Sequence, residues 1–213
     1  ADPWRALGPP RLFYAVSAGN MDSMINHYTA NRKRRNADAY SPGGRIGLRP
    51  DRASAVYAQR CREAFKGVPV VVGGVEASLR RVAHYDYWSD SVRPTHLVHS
   101  KADLLAFGMG EHTILAIARR LAAGEDVSAL RDLRGVAYLL GAKQELPEHD
   151  FGLAQRADDV TLPGFEAVRD DGRAFEKNGF HFDNRCVVPY NAWLLQKYRC
   201  HLNVEIVNTI RSI

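Results

Sequence analysis

The chain has 213 residues, 46% apolar and 25% charged, which suffices for one well-buried domain with or without an appendage. These proportions exclude collagen-like, mostly disordered and disulfide-framework classes, and no apolar run approaches the about 20 residues of a membrane helix. The net charge is +5, and it is unevenly placed. Nine basic residues (Arg32, Lys33, Arg34, Arg35, Arg45, Arg49, Arg52, Arg60 and Arg62) are opposed within their stretch only by Asp38 and Asp51. Such a segment suits phosphate, RNA or an acidic surface, or it is a solvated loop.

The opening ADPWRALGPPR has neither a signal peptide nor an initiator Met, so the chain is expected to start inside a longer protein. Leu12 to Ser17 is an apolar, aromatic run ending in Ala18-Gly19-Asn20, a strand and its turn. Met21, Met24, Ile25 and Tyr28 then fall at helical spacing, with Asn20 or Asp22 as cap. Residues Asn31 to Arg49 carry the basic cluster and Ser41-Pro42-Gly43-Gly44, an exposed excursion. A second helix is expected from Pro50-Asp51 to Lys66-Gly67, with Ala53, Val56, Tyr57, Cys61, Ala64 and Phe65 as its apolar stripe.

Val68 to Val72 reads as a strand buried on both faces, the mark of a parallel sheet, and runs into Gly73-Gly74. Asp103 to Phe107 is a further strand, followed by Gly108-Met109-Gly110-Glu111. The helix after it places Ile114, Leu115, Ala118, Leu121 and Ala122 on one face and ends near Gly124. Val136 to Leu140 is one more strand. Alternating strands and helices predict an α/β domain with a mainly parallel sheet. Beyond Gly141 the texture changes: Asp150 to Lys177 is polar and turn-rich, and Cys186 to Pro189 and Val204 to Val207 form a fresh segment. A boundary is expected between about Asp170 and Asn178, separating residues 1–175 from an appendage, 176–213.

In parallel α/β sheets, ligands gather beyond the carboxyl ends of the strands. Candidate ligand-binding residues are therefore Gly19 and Asn20, Gly73, Gly74, Glu76 and Ser78, and Gly108, Gly110 and Glu111. The same glycines would equally serve as tight strand-to-helix turns. Neither G-x-G-x-x-G nor G-x-x-x-x-G-K-[ST] is present. The run Arg80 to Asp90 is dense in polar and aromatic groups, and His84 and Asp86 could pair there for acid-base work or pin a loop. Cys61, Cys186 and Cys200, the only cysteines, have no C-x-x-C or H-x-x-x-H beside them, so no metal site is expected and a reducing cytoplasm is.

SAGNMDSMINHYTANRKRRNADAYSPGG, RPDRASAVYAQRCREAFKGVPVVVGGVEASLRRVAHYDYWSD and KADLLAFGMGE resemble the N-terminal domain of the YgiQ-like radical S-adenosylmethionine proteins. The resemblance runs from about Asp2 to Phe175 and includes Asp159 to Pro163. It implies a Rossmann-like, cobalamin-binding-like domain placed before a radical S-adenosylmethionine barrel, which becomes its partner. It also implies a [4Fe-4S] cluster and S-adenosylmethionine in the full-length protein, held through C-x-x-x-C-x-x-C. With its three scattered cysteines this chain lacks that loop, so it is expected to be inactive alone. An opening strand and helix of the domain also look missing, which would leave a sheet edge exposed. Cobalamin stays open, because a similar fold does not imply the cofactor and D-x-H-x-x-G is not present. Asp183 to Asn191 and Lys197 to Glu205 resemble Helitron-type helicase proteins, without that family's paired tyrosines or a Walker motif. This leaves two other readings: a nucleic-acid-binding module using residues 32–62 and the tail, or a chimeric fragment.

Overall fold

The computed structural model describes residues 2–139, residues 165–171 and the backbone of 200–202. The chain divides into two compact units: residues 1–82 with 95–110, and residues 83–94 with 111–213. Among the described residues no helix is long and apolar enough to cross a membrane.

The first unit is built on three parallel strands, β1 (Tyr14–Val16), β2 (Val70–Val72) and β5 (Leu104–Ala106). Tyr14 stands opposite Val70, and Val71 opposite Leu104. Val70, Val71 and Val72 are all buried, as are Leu104, Leu105 and Ala106, which is why these runs show no alternation. Among the described strands β1 lies at the edge: Ala15 is exposed while Val16 is buried. Spatial order follows chain order here, so the direction of winding does not reverse among these three strands.

Helix α1 (Ser23–His27) is capped by Asp22, whose carboxylate accepts from the amides of Met24 at 2.9 Å and Ile25 at 3.3 Å. Of the two expected caps, Asp22 is the one used. Helix α2 (Ala53–Ala64) packs on β1 and β2. Its buried side is a small-residue face of Ala53, Ser54, Ala55, Ala58, Cys61 and Ala64, with Val56 and Tyr57 half-buried. Small side chains let the helix lie close to the sheet, so the wider stripe expected from Val56, Tyr57 and Phe65 sits at its margin. Two short helices escape the sequence reading: α3 (Gly74–Leu79) after β2, and α4 (His96–Ser100) against α2.

In the second unit, β3 (His84–Asp86) and β4 (Ser91–Arg93) form an antiparallel hairpin with His84 opposite Arg93. Helix α6 (Phe165–Asp170) packs on β4, and Ala83, Val92, Phe165 and Val168 make a small apolar core. Helix α5 (Glu111–Ala122) buries Ile117 fully, with Ile114, Ala118 and Leu121 half-buried beside it. Leu115, expected on that stripe, is 52% exposed because it lies off the i, i+3, i+4, i+7 line through those four residues. β6 (Val136–Leu139) pairs antiparallel with β7 (Cys200–Leu202). The expected 170–178 boundary and the appendage lie outside the described residues beyond Asp171, apart from the backbone of β7.

Candidate functional site

The carboxyl ends of β1, β2 and β5 run into Ser17 to Gly19, Gly73-Gly74 and Phe107 to Gly110. What fills the space around Gly19, Gly73 and Gly74 is the chain itself. Gly74 has φ +78°, and a Cβ on it would lie 2.6 Å from Ser17 Oγ. A Cβ on Gly19 would meet the Tyr40 ring at 3.2 Å, and one on Gly73 the Ala106 carbonyl oxygen at 3.2 Å. Gly108 has φ +70° but open space around it, and its amide donates to Ser78 Oγ at 3.3 Å. Gly74→Ala therefore combines backbone strain with a close contact and is expected to cost about 2–4 kcal/mol; Gly108→Ala, with strain alone, about 1 kcal/mol. Urea unfolding of the two variants side by side checks that order.

Behind these turns Glu76 lies 1% exposed, with both carboxylate oxygens engaged. Oε2 accepts from the Ser23 amide at 2.7 Å; Oε1 accepts from the Ser54 amide at 2.9 Å and from the Ser54 hydroxyl. Ser54 Oγ is also 3.2 Å from His96 Nε2. Asp22, the α1 cap, pairs with Arg80 at the end of α3. One buried carboxylate thus ties α1, α2 and α3 together at the strand ends. Asn20 and Glu111 are exposed, Glu111 at the start of α5 in the second unit. His84 and Asp86 are also in that unit, in the hairpin. Asp86 accepts from Ser89 Oγ at 2.8 Å, the Trp88 amide at 3.3 Å and Arg93 Nε at 2.8 Å, a set of bonds that closes the turn between β3 and β4.

The densest polar cluster is one the sequence reading does not single out. Asp38, within the basic excursion, is fully buried. Its carboxylate accepts from Asn26 Nδ2 at 2.5 Å, the Tyr40 amide at 3.0 Å, Ser41 Oγ at 2.8 Å, and Arg49 through Nε at 2.8 Å and Nη2 at 3.1 Å. Arg49 also donates to the Ala18 carbonyl at 2.9 Å and lies over the Tyr40 ring at 4.9 Å. Burial alone would push the Asp38 carboxyl up, but Arg49 and the other donors outweigh it and hold it well below the usual carboxylate range. Buried His27 stands between two acids, Nδ1 2.9 Å from Asp51 Oδ1 and Nε2 3.4 Å from Asp38 Oδ2, and Tyr28 Oη donates to Asp51 at 2.8 Å. The cluster fastens the excursion to α1 and to the β1 turn.

Much of the basic segment is therefore spent on the fold. Arg35 donates to the carbonyls of Ile25 and Tyr28, Arg60 pairs with Glu63, and Arg62 with Asp103. Arg32, Lys33, Arg34 and Arg45 are the exposed remainder with no side-chain bond to another described residue. Cys61 is a buried thiol on α2, and burial pushes it up. It is expected to resist iodoacetamide in the folded protein and to react once urea is added, read by peptide mass mapping. A thiolate-ligated iron–sulfur cluster does not fit the described residues: Cys61 is their one described thiol and is buried, and among them no group of three His, Cys, Asp or Glu is placed to hold a metal.

Comparison with known proteins agrees with this picture of a domain. The Radical SAM N-terminal family matches residues 1–209. A UPF0313 protein of Rhodopseudomonas palustris is 51% identical over 187 residues, covering 83% of this chain and 28% of its own length. A UPF0313 protein of Geobacter sulfurreducens is 55% identical over 170 residues, covering 80% of this chain and 27% of its own. UPF0313 protein YgiQ of Escherichia coli is 58% identical over 146 residues, 68% of this chain and 20% of that protein. The chain thus spans less than a third of the length of these relatives. No solved structure matches it. On the family match and these identities, the chain belongs to the Radical SAM N-terminal family.

Proposed function

We propose that this chain is the non-catalytic N-terminal domain of a radical S-adenosylmethionine protein whose [4Fe-4S] cluster is carried by another part of a longer polypeptide. One observation carries the reading: a family match over residues 1–209 in a sequence whose only cysteines, 61, 186 and 200, lack cluster spacing. The turns after β1 and β2 are packed against their own chain and Glu76 ties three helices together, so the domain works as a scaffold. A ligand at the strand ends would meet Asn20, Ser78 and Gly108 at the surface of this scaffold. Cobalamin forms no part of the proposal, since the sequence has no D-x-H-x-x-G loop.

The test is S-adenosylmethionine cleavage under anaerobic, reducing conditions with iron and sulfide supplied. This chain is expected to form no 5′-deoxyadenosine above buffer, whereas a full-length relative forms it. Turnover by this chain alone would overturn the reading. The family match runs on through residue 209, so the Helitron-like resemblance of residues 176–213 forms no part of the proposal.

A further inference from the structure

Helix α3 hides Glu76 and Ala77 and turns Val75 and Leu79 outward, one helical turn apart, at 46% and 48% exposure. Met21 and Met109 are exposed as well, at 43% and 78%. Hydrogen bonds fix the neighbours of these four residues along the helix. Asp22, next to Met21, pairs with Arg80, which adjoins Leu79. The amide of Gly108, next to Met109, donates to Ser78 Oγ. Four exposed apolar side chains, with the Asp22–Arg80 ion pair beside Met21 and Leu79, therefore lie at the carboxyl ends of β1, β2 and β5. Exposed apolar bands of this kind mark contact surfaces, and two methionines suit a surface that adapts to its partner.

We propose that this band is the surface on which the remainder of the longer polypeptide, the expected cluster-bearing barrel, docks. The occupant is chosen on length and chemistry. The relatives carry most of their chain outside the matched part, since the chain covers only 28%, 27% and 20% of them. A band whose exposed large side chains are Val75, Leu79, Met21 and Met109 suits an apolar protein surface better than phosphate or nucleic acid. The inference rests on the reading of the chain as one domain of a longer protein.

Peroxide footprinting of the full-length protein tests it, because the three methionines of this sequence act as two probes and a control. Met24 is fully buried within α1 and should oxidise slowly throughout. In the full-length protein Met21 and Met109 are expected to oxidise nearly as slowly as Met24, and Leu79→Glu should raise the Met109 rate at least about tenfold with Met24 unchanged. Met109 oxidising many-fold faster than Met24 in the unmodified full-length protein would overturn the proposal. So would protection that disappears on dilution to a monomer, which would assign the band to a second copy. Cleavage of S-adenosylmethionine measured on the same sample separates the two claims: an exposed band with intact cleavage refutes the docking surface alone.

Discussion

Arg49→Ala is expected to lower the unfolding free energy by about 3–5 kcal/mol, the usual cost of leaving one member of a buried ion pair behind. Asp38, in a site with no exposure, would lose two of its five closest donors. The Ala18 carbonyl at the β1 turn and the Tyr40 ring would lose their partner too. Arg34→Ala, in the same basic segment but exposed and without such a bond, is the control and should stay within about 0.5 kcal/mol of the parent. Urea denaturation of both variants decides it, and equal effects would mean that Asp38 is not held as described. The pH dependence follows with a definite sign. The Asp38 carboxyl is depressed in the folded state, so the folded chain binds its proton more weakly than the unfolded chain. Its stabilisation is therefore full above the unfolded value of about 4 and is lost as pH falls below that towards the folded value. Asp38→Asn should be less stable at neutral pH and show a flatter acid limb.

Glu76→Gln is expected to cost about 2–4 kcal/mol although it changes one atom. Both oxygens of Glu76 accept backbone N–H groups, one from Ser23 and one from Ser54. Whichever way the new side-chain amide is turned, its NH2 faces an N–H donor, leaving a buried amide without an acceptor. Glu76→Ala removes the acceptor from both and opens a cavity, so it should cost more, about 3–5 kcal/mol. A thermal melt in which Glu76→Gln matches the parent would show that Glu76 does not bridge the three helices.

The strands are readable because burial on both faces writes itself as uninterrupted apolar runs. Val68 to Val72 and Asp103 to Phe107 contain β2 and β5, and Val136 to Leu140 contains β6. Helices α2 and α5 are readable from length and their glycine ends, and their buried faces in part: Ala53, Cys61 and Ala64 of the expected α2 stripe are buried, Val56, Tyr57 and Phe65 less so. The alanine face of α2 has little apolar contrast, and Leu115 looks as core-like as Ile117 until the packing is seen. Helices α3 and α4 span at most six residues, too short to show a period. The hairpin of His84 to Arg93 is hidden because its side chains are polar and aromatic without alternation.

At the candidate site, Gly74 and Glu76 stand out as a strand end, and of the two readings offered for the glycines Gly74 shows the tight turn into a helix. What cannot be read is that Glu76 points inward, since only the Ser23 and Ser54 amides, 53 and 22 residues away, reveal it. Asp38 escapes on the same ground. Amid Arg and Lys it looks like a solvated counter-charge, and its partners Asn26 and Arg49 lie 12 and 11 residues from it. An acid alone in a long basic run is the signal that would find it.

We propose that this domain belongs to a radical S-adenosylmethionine protein yet supplies no cluster of its own. Anaerobic reconstitution with iron and sulfide, followed by desalting and metal analysis of this chain beside a full-length relative, tests it most directly. Substoichiometric iron and no cluster spectrum are expected for this chain, and about four irons and four sulfides for the full-length protein. A stoichiometric, S-adenosylmethionine-responsive [4Fe-4S] signal from this chain alone would contradict it.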